Sequence, residues 1–278
     1  MNLLEKANQF VLLFIETLRR VGLWRAWVIL LVYALLHWFI LYAHYMYVRP
    51  PFYGLLAPWV ATFGADRAVA FSHYPQQLFY LGRFAGWAKL GLGLLLEGLV
   101  LAAVARLFYQ AFTGERPAHP RYSPLVFWLN LVAAWLILNL LMLAVGAVLP
   151  SLAAPYINGP RRLLVFTYGV LPFAFTFVFS LLILTIPAIA VNGDHVLGAI
   201  GRSVRQFLRR PLTCFAMGFV ILAVPILLNV VTGRPAGIIN SFKPELLFWL
   251  LSALLFVEMI ANFVWMGVAV RFLLEPED

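Results

Sequence analysis

Apolar residues run along this chain in blocks far longer than a strand or a soluble helix needs. Stretches free of Asp, Glu, Lys and Arg cover Ala26–Val48, Tyr122–Pro160, Leu163–Gly193 and Pro211–Gly233. Two further blocks, Phe84–Ala105 and Leu246–Val270, are apolar apart from Lys89 and Glu97 in the first and Glu258 in the second. About 20 apolar residues suffice for a helix to cross a hydrocarbon core roughly 30 Å thick. The blocks therefore predict six transmembrane helices, over about 26–48, 84–105, 124–149, 163–187, 211–232 and 246–270. Pro150-Ser151 and Ala154-Pro155 place a loop after the third, and Pro172 and Pro225 should kink the fourth and fifth. The runs are continuous rather than alternating, which selects helices over a β-barrel.

Two segments carry a different pattern. In residues 1–22, Leu3, Leu4, Ala7, Phe10, Val11, Phe14, Ile15 and Leu18 recur at helical spacing, with Lys6, Glu16, Arg19 and Arg20 off that stripe. In 194–210, Val196, Leu197, Ile200, Val204, Phe207 and Leu208 oppose Gly198, Arg202, Arg205, Gln206 and Arg209, with Asp194 as N-cap. Both read as amphipathic helices lying in the cytoplasmic interface. Each ends in Leu-Arg-Arg and leads into a span, which hints at an internal duplication. No signal peptide is expected, since Glu16 interrupts the first apolar run and no small-residue cleavage site follows. The expected fold is all-α: a single polytopic membrane domain over 1–278, with six spans and two interfacial helices.

Composition agrees. Hydrophobic residues make up 64% and charged residues 11%, against about 25% charged in a soluble domain. That excludes a soluble enzyme, a disordered chain and a secreted disulfide scaffold, and Cys214, the only cysteine, has no internal partner. With the N-terminus inside, the cytoplasmic loops hold twelve of the 20 basic residues, Arg121 among them, and the opposite side eight, including Arg234. Both termini are then cytoplasmic, and a bacterial cytoplasmic membrane is the expected location. The net charge of +9 reads as attraction to a membrane surface rather than to nucleic acid.

Ile186-Pro187-Ala188-Ile189-Ala190-Val191, then Val196–Ala199, Arg202-Ser203 and Phe207-Leu208-Arg209-Arg210-Pro211, resemble one group of proteins. These are the bacterial and archaeal six-helix membrane proteins related to the membrane domain of glycerophosphodiester phosphodiesterases. Ala199 and Ser203 match that group's Ala-x-x-x-Ser core, and Arg202 and Arg205 its basic face. The resemblance implies a membrane module; no soluble phosphodiesterase domain is expected here, so that activity is not carried over.

Ionisable groups within a bilayer are functional candidates by default. His37, Glu97, Asn139, Glu258 and Asn262 fall near the midplane of their spans and could bind a proton or cation. Equally, they could serve as interhelical contacts. Lys89 is expected to snorkel outward rather than pair with Glu97, and the glycines Gly91, Gly93 and Gly98 to allow close helix approach. His37 and His44 share a helix face seven residues apart, whereas paired metal ligands on one helix sit at i, i+4. His73, His119 and His195 fall in loops, so neither cofactor nor metal is expected. Ser180 and Ser252 lack a base, and no catalytic motif occurs, so no enzymatic activity is expected.

Two surfaces remain. The stretch 49–82 should lie on the outer face as short interfacial helices with Asp66 and Arg67 in the turn between them. Its Tyr53, Trp59, Phe63, Tyr74, Phe79 and Tyr80 form either an aromatic belt or a docking surface. Arg19, Arg20, Arg202, Arg205, Arg209 and Arg210 form a cytoplasmic array that anchors the chain or binds lipid headgroups or a partner. The leading expectation is a non-enzymatic module that binds membrane lipids and a membrane protein partner or a second copy of itself. It would serve as a subunit of a larger assembly; the alternative is a small transporter using the midplane polar groups.

Overall fold

The computed structural model describes residues 3–117, 122–233 and 235–275. Arg121, Arg234 and His119 lie outside these residues, as do the side chains of Leu3, Leu4, Lys6 and Ala7. All regular structure among the described residues is helical. α1 (Leu3–Arg19) precedes α2 (Trp24–Tyr45), and two short helices, α3 (Phe52–Ala61) and α4 (Ala65–Phe71), lead to α5 (Gln76–Thr113). After α6 (Pro124–Ala153) comes a span built in pieces: α7 (Pro160–Val165), a π-helical stretch Phe166–Val170, α8 (Leu171–Leu182) and α9 (Thr185–Asn192). α10 (Val196–Arg209) and α11 (Pro211–Thr232) follow, then α12 (Pro235–Ser241) and α13 (Leu246–Leu273). Six of these stretches are long and apolar enough to cross a membrane. The protein is an all-α, multi-pass integral membrane protein.

Several boundaries differ from the hydropathy pattern for physical reasons. α5 has 38 residues, about 57 Å at 1.5 Å per residue, well beyond the roughly 30 Å that a span needs. α6 runs through Pro150 to Ala153: the proline removes one backbone hydrogen bond, but its own carbonyl still accepts from Ala154 N–H and closes the last turn. The turn between α3 and α4 falls at 62–64, and Asp66 and Arg67 sit in the first turn of α4, where Asp66 favours the helix dipole.

The chain packs as two compact units. The first comprises Met1–Ile29, Leu94–Ala223 and Ala261–Asp278, and the second Leu30–Gly93 and Val224–Ile260. α2, α5, α11 and α13 each contribute to both, so no break in hydropathy marks the division.

In the first unit the broken span, the most buried of the six, is the core. Pro172 stands just after the π-helical stretch, whose wider turn accommodates the missing N–H. The second break, at Ile183 and Leu184, is closed by side chains from elsewhere. Pro187 has no N–H to give the Ile183 carbonyl, and the Trp265 indole donates to it instead at 2.8 Å. Ser203 Oγ donates to the Leu181 carbonyl at 2.7 Å and accepts from Leu184 N–H at 3.2 Å. The matching groups of a continuous helix would otherwise be orphaned in an apolar interior. Asn130, not Asp194, caps α10: its Oδ1 accepts from Val196 N–H at 3.0 Å. Of the glycines in the second span, Gly98 permits close approach, for a Cβ there would lie 2.9 Å from the Leu131 carbonyl oxygen, whereas Gly91 faces open space.

The second unit holds two apolar clusters. Leu41, Leu78, Leu81, Ile238, Ile239, Leu247 and Phe248 form one. The other, Tyr47, Val60, Phe71 and Phe84, seats α3 and α4 against the spans.

Candidate functional site

Each amphipathic helix divides its surface three ways rather than two. On α10 the buried stripe is Val196, Ala199, Ser203 and Phe207. Leu197 and Leu208 are about 70% exposed (70% and 71%), about 100° round the helix from that stripe, and the arginines lie further round still. On α1, Leu13 and Thr17 are buried while Val11, Ile15 and Leu18 are exposed, so the predicted apolar stripe faces outward and a neighbouring face packs inward. A helix seated on a bundle at a bilayer surface has three neighbours: protein, lipid and water. The sequence pattern separates only apolar from polar, so it merges the first two.

Both helices are tied to the same end of α13. Thr17 packs against Gly267, where no Cβ would fit, and Glu16 forms an ion pair with Arg271. At the end of α10, Arg210 pairs with Glu275 at 2.6 Å, its guanidinium 5.7 Å from the Phe272 ring centre. The two Leu-Arg-Arg sequences are thereby gathered on residues 267–275. The six arginines are not equivalent. Arg210 is committed to Glu275, and Arg202 pairs with Asp194 at 3.0 Å. Arg19, Arg20, Arg205 and Arg209 are exposed.

The midplane polar residues distribute between the units. In the second, Glu258 forms an ion pair with Lys89, so Lys89 does not snorkel. The two lie 169 residues apart, beyond any helix-spacing rule, although an isolated mid-span charge itself calls for a counter-ion. His37 is within electrostatic reach of both charges. Its Nδ1 lies 3.2 Å from the Tyr33 carbonyl, which can only accept, so in the neutral ring Nδ1 carries the proton. Nε2 is buried, and the Lys89 backbone is a second hydrogen-bonding neighbour of the ring. His44 repeats the Nδ1 contact, with the Ile40 carbonyl at 2.7 Å.

In the first unit, Glu97 accepts from the Trp135 indole at 2.8 Å, and Asn139 donates to the Trp135 carbonyl at 2.9 Å. Asn262 is half-buried. The serine hydroxyls are occupied structurally: Ser180 donates to the Thr176 carbonyl at 2.7 Å, and Ser252 accepts from the Trp38 indole at 3.2 Å.

Of the aromatic residues of the 49–82 stretch, Phe63 and Tyr80 pack against the cluster around Phe84. Tyr53, Trp59, Tyr74 and Phe79 are exposed. The Tyr74 hydroxyl donates to Glu245 at 2.6 Å. This hydrogen bond holds the Glu245 carboxyl below its ordinary range and pushes Tyr74 up to about 12.

Comparison with family models, with curated proteins and with solved structures finds no match to this chain.

Proposed function

We propose that the protein is a non-enzymatic membrane module that binds anionic lipid headgroups at the arginine-rich end of its first unit. The observation that carries this reading is the joint docking of α1 and α10 on the end of α13. It sets exposed Leu18 and Leu208 beside exposed Arg19, Arg20 and Arg209. Leucine seeks the acyl boundary and arginine the phosphates, each basic residue contributing about 1 kcal/mol near an anionic surface. In this reading the membrane is a bacterial cytoplasmic one, both termini face the cytoplasm, and the module works within a larger assembly. Kinship with the glycerophosphodiester phosphodiesterase membrane domain belongs to the same proposal. It is supported by the residues of that resemblance, Pro187 and Ser203, sharing one structural task at the α8–α9 break.

Thermal unfolding of the purified protein in neutral micelles tests the reading. Added phosphatidylglycerol should raise the midpoint more than equal phosphatidylcholine. Equal effects of the two lipids would refute headgroup binding.

A second reading, a small proton- or cation-coupled transporter, is favoured by the buried imidazole of His37 within electrostatic reach of the Lys89–Glu258 pair. It requires that Glu258→Gln abolish flux in reconstituted vesicles while leaving the protein folded.

A further inference from the structure

The first unit contains an open cleft of about 600 Å³ between the start of α2 and the later part of α5. Its chemistry is layered. From α2 come Arg25 and, one turn deeper into the span, Val28 and Ile29. These positions at i, i+3 and i+4 share one face. From α5, which runs the other way, come Ala103 at the deeper level, then Arg106 and Leu107, then Gln110 at the rim. They too share one face. Arg116 closes the outer side from the segment after α5, and among the described residues no Asp or Glu lines the cleft.

Three arginines thus stand over an apolar floor, at the level where a span leaves the bilayer. Two of them are held in place. Arg25 lies over the Trp24 ring, 5.7 Å from its centre, and Trp24 is 65% exposed, as suits an indole at the headgroup level. Arg106 Nη2 donates to the Pro117 carbonyl at 3.5 Å. A soluble anion would gain nothing from the floor, and a neutral lipid nothing from the arginines. The combination fits one molecule carrying both groups, and the size lies within the range of small-molecule pockets.

We propose that this cleft binds one anionic phospholipid, its phosphate between Arg25, Arg106 and Arg116 and the first part of an acyl chain against Val28, Ile29 and Ala103. The proposal rests on the lipid-binding reading above but names a different site from the arginines of α1 and α10.

Native mass spectrometry of the full-length protein, titrated with phosphatidylglycerol in neutral micelles, tests it. Wild type should retain one tightly held phosphatidylglycerol. Arg25→Gln with Arg106→Gln should weaken that first site roughly thirtyfold, at about 1 kcal/mol per arginine. Arg205→Gln with Arg209→Gln should leave it in place. Ala103→Phe, which fills the floor and keeps every charge, should also displace the lipid, and it carries the test if the arginine variant does not fold. An unchanged first site in a folded Arg25/Arg106 variant, or in Ala103→Phe, would overturn the cleft while leaving the general reading intact. A wild type with no preference for phosphatidylglycerol over phosphatidylcholine would overturn both. Glycerophosphate binding as tightly as the intact lipid would overturn the acyl part of the site.

Discussion

Lys89 on α5 and Glu258 on α13 form an ion pair within membrane-spanning helices. Removing one member of a buried pair strands the other charge, at a cost of about 3–5 kcal/mol, whereas replacing both by apolar groups is often neutral. Here about a quarter to a third of each side chain is exposed (26% and 32%), which places the cost near the lower end of that range. Glu258→Gln should therefore lower the unfolding midpoint in detergent by more than the double replacement Lys89→Met with Glu258→Leu. A double variant less stable than either single one would show that the pair is not the contact that matters.

The Ser203 hydroxyl serves two backbone groups at the α8–α9 break, and Trp265 serves a third. An unsatisfied buried backbone group costs about 1–3 kcal/mol. Ser203→Ala should destabilise the protein by roughly 2 kcal/mol and speed hydrogen exchange at Leu184, and Trp265→Phe should destabilise it without exposing that amide. Unchanged exchange at Leu184 in Ser203→Ala would contradict the assigned hydrogen bond.

Asn130 caps α10 from a different helix. Asn130→Leu removes the acceptor for Val196 N–H, and loss of a cap costs about 1 kcal/mol. Exchange should rise at Val196 and in the first turn of α10 while the last turn, held by Arg210 and Glu275, keeps its protection. Uniform protection along α10 would mean that Asn130 does not act as the cap.

The Tyr74–Glu245 hydrogen bond makes the contact between the start of α5 and the start of α13 pH-dependent in two directions. Glu245 is depressed below its ordinary 4.5 by the Tyr74 hydroxyl. Its contribution is present above about 4.5 and lost as pH falls through the lower folded value. Tyr74 is raised from 10.0 to about 12, so its contribution is complete below about 10 and lost as pH rises through about 12. The tyrosinate absorbance of wild type minus that of Tyr74→Phe should show one group titrating near 12. A difference titration centred near 10 would mean that the hydrogen bond does not form.

The spans were legible because hydropathy over about 20 residues reports membrane burial directly, and both amphipathic helices stand where the periodicity puts them. What escaped the sequence depends on partners distant along the chain. Lys89 finds Glu258, Glu97 finds Trp135, and Val196 finds Asn130 across separations that no helical spacing encodes. The α8–α9 break had a visible cause in Pro187, but the groups that close it, Ser203 and Trp265, come from other helices. The cleft was invisible for a related reason: Arg25, Arg106 and Arg116 lie far apart along the chain, and only the packing of α2, α5 and the segment after α5 brings them to one opening.

The claim that the protein holds anionic lipid is tested most directly by what it carries out of a membrane. Protein purified gently from native membranes should bring anionic phospholipids at a higher fraction than the bulk membrane contains, with one molecule surviving transfer into the gas phase. A bound-lipid composition equal to that of the bulk, or retention of zwitterionic lipid alone, would contradict it.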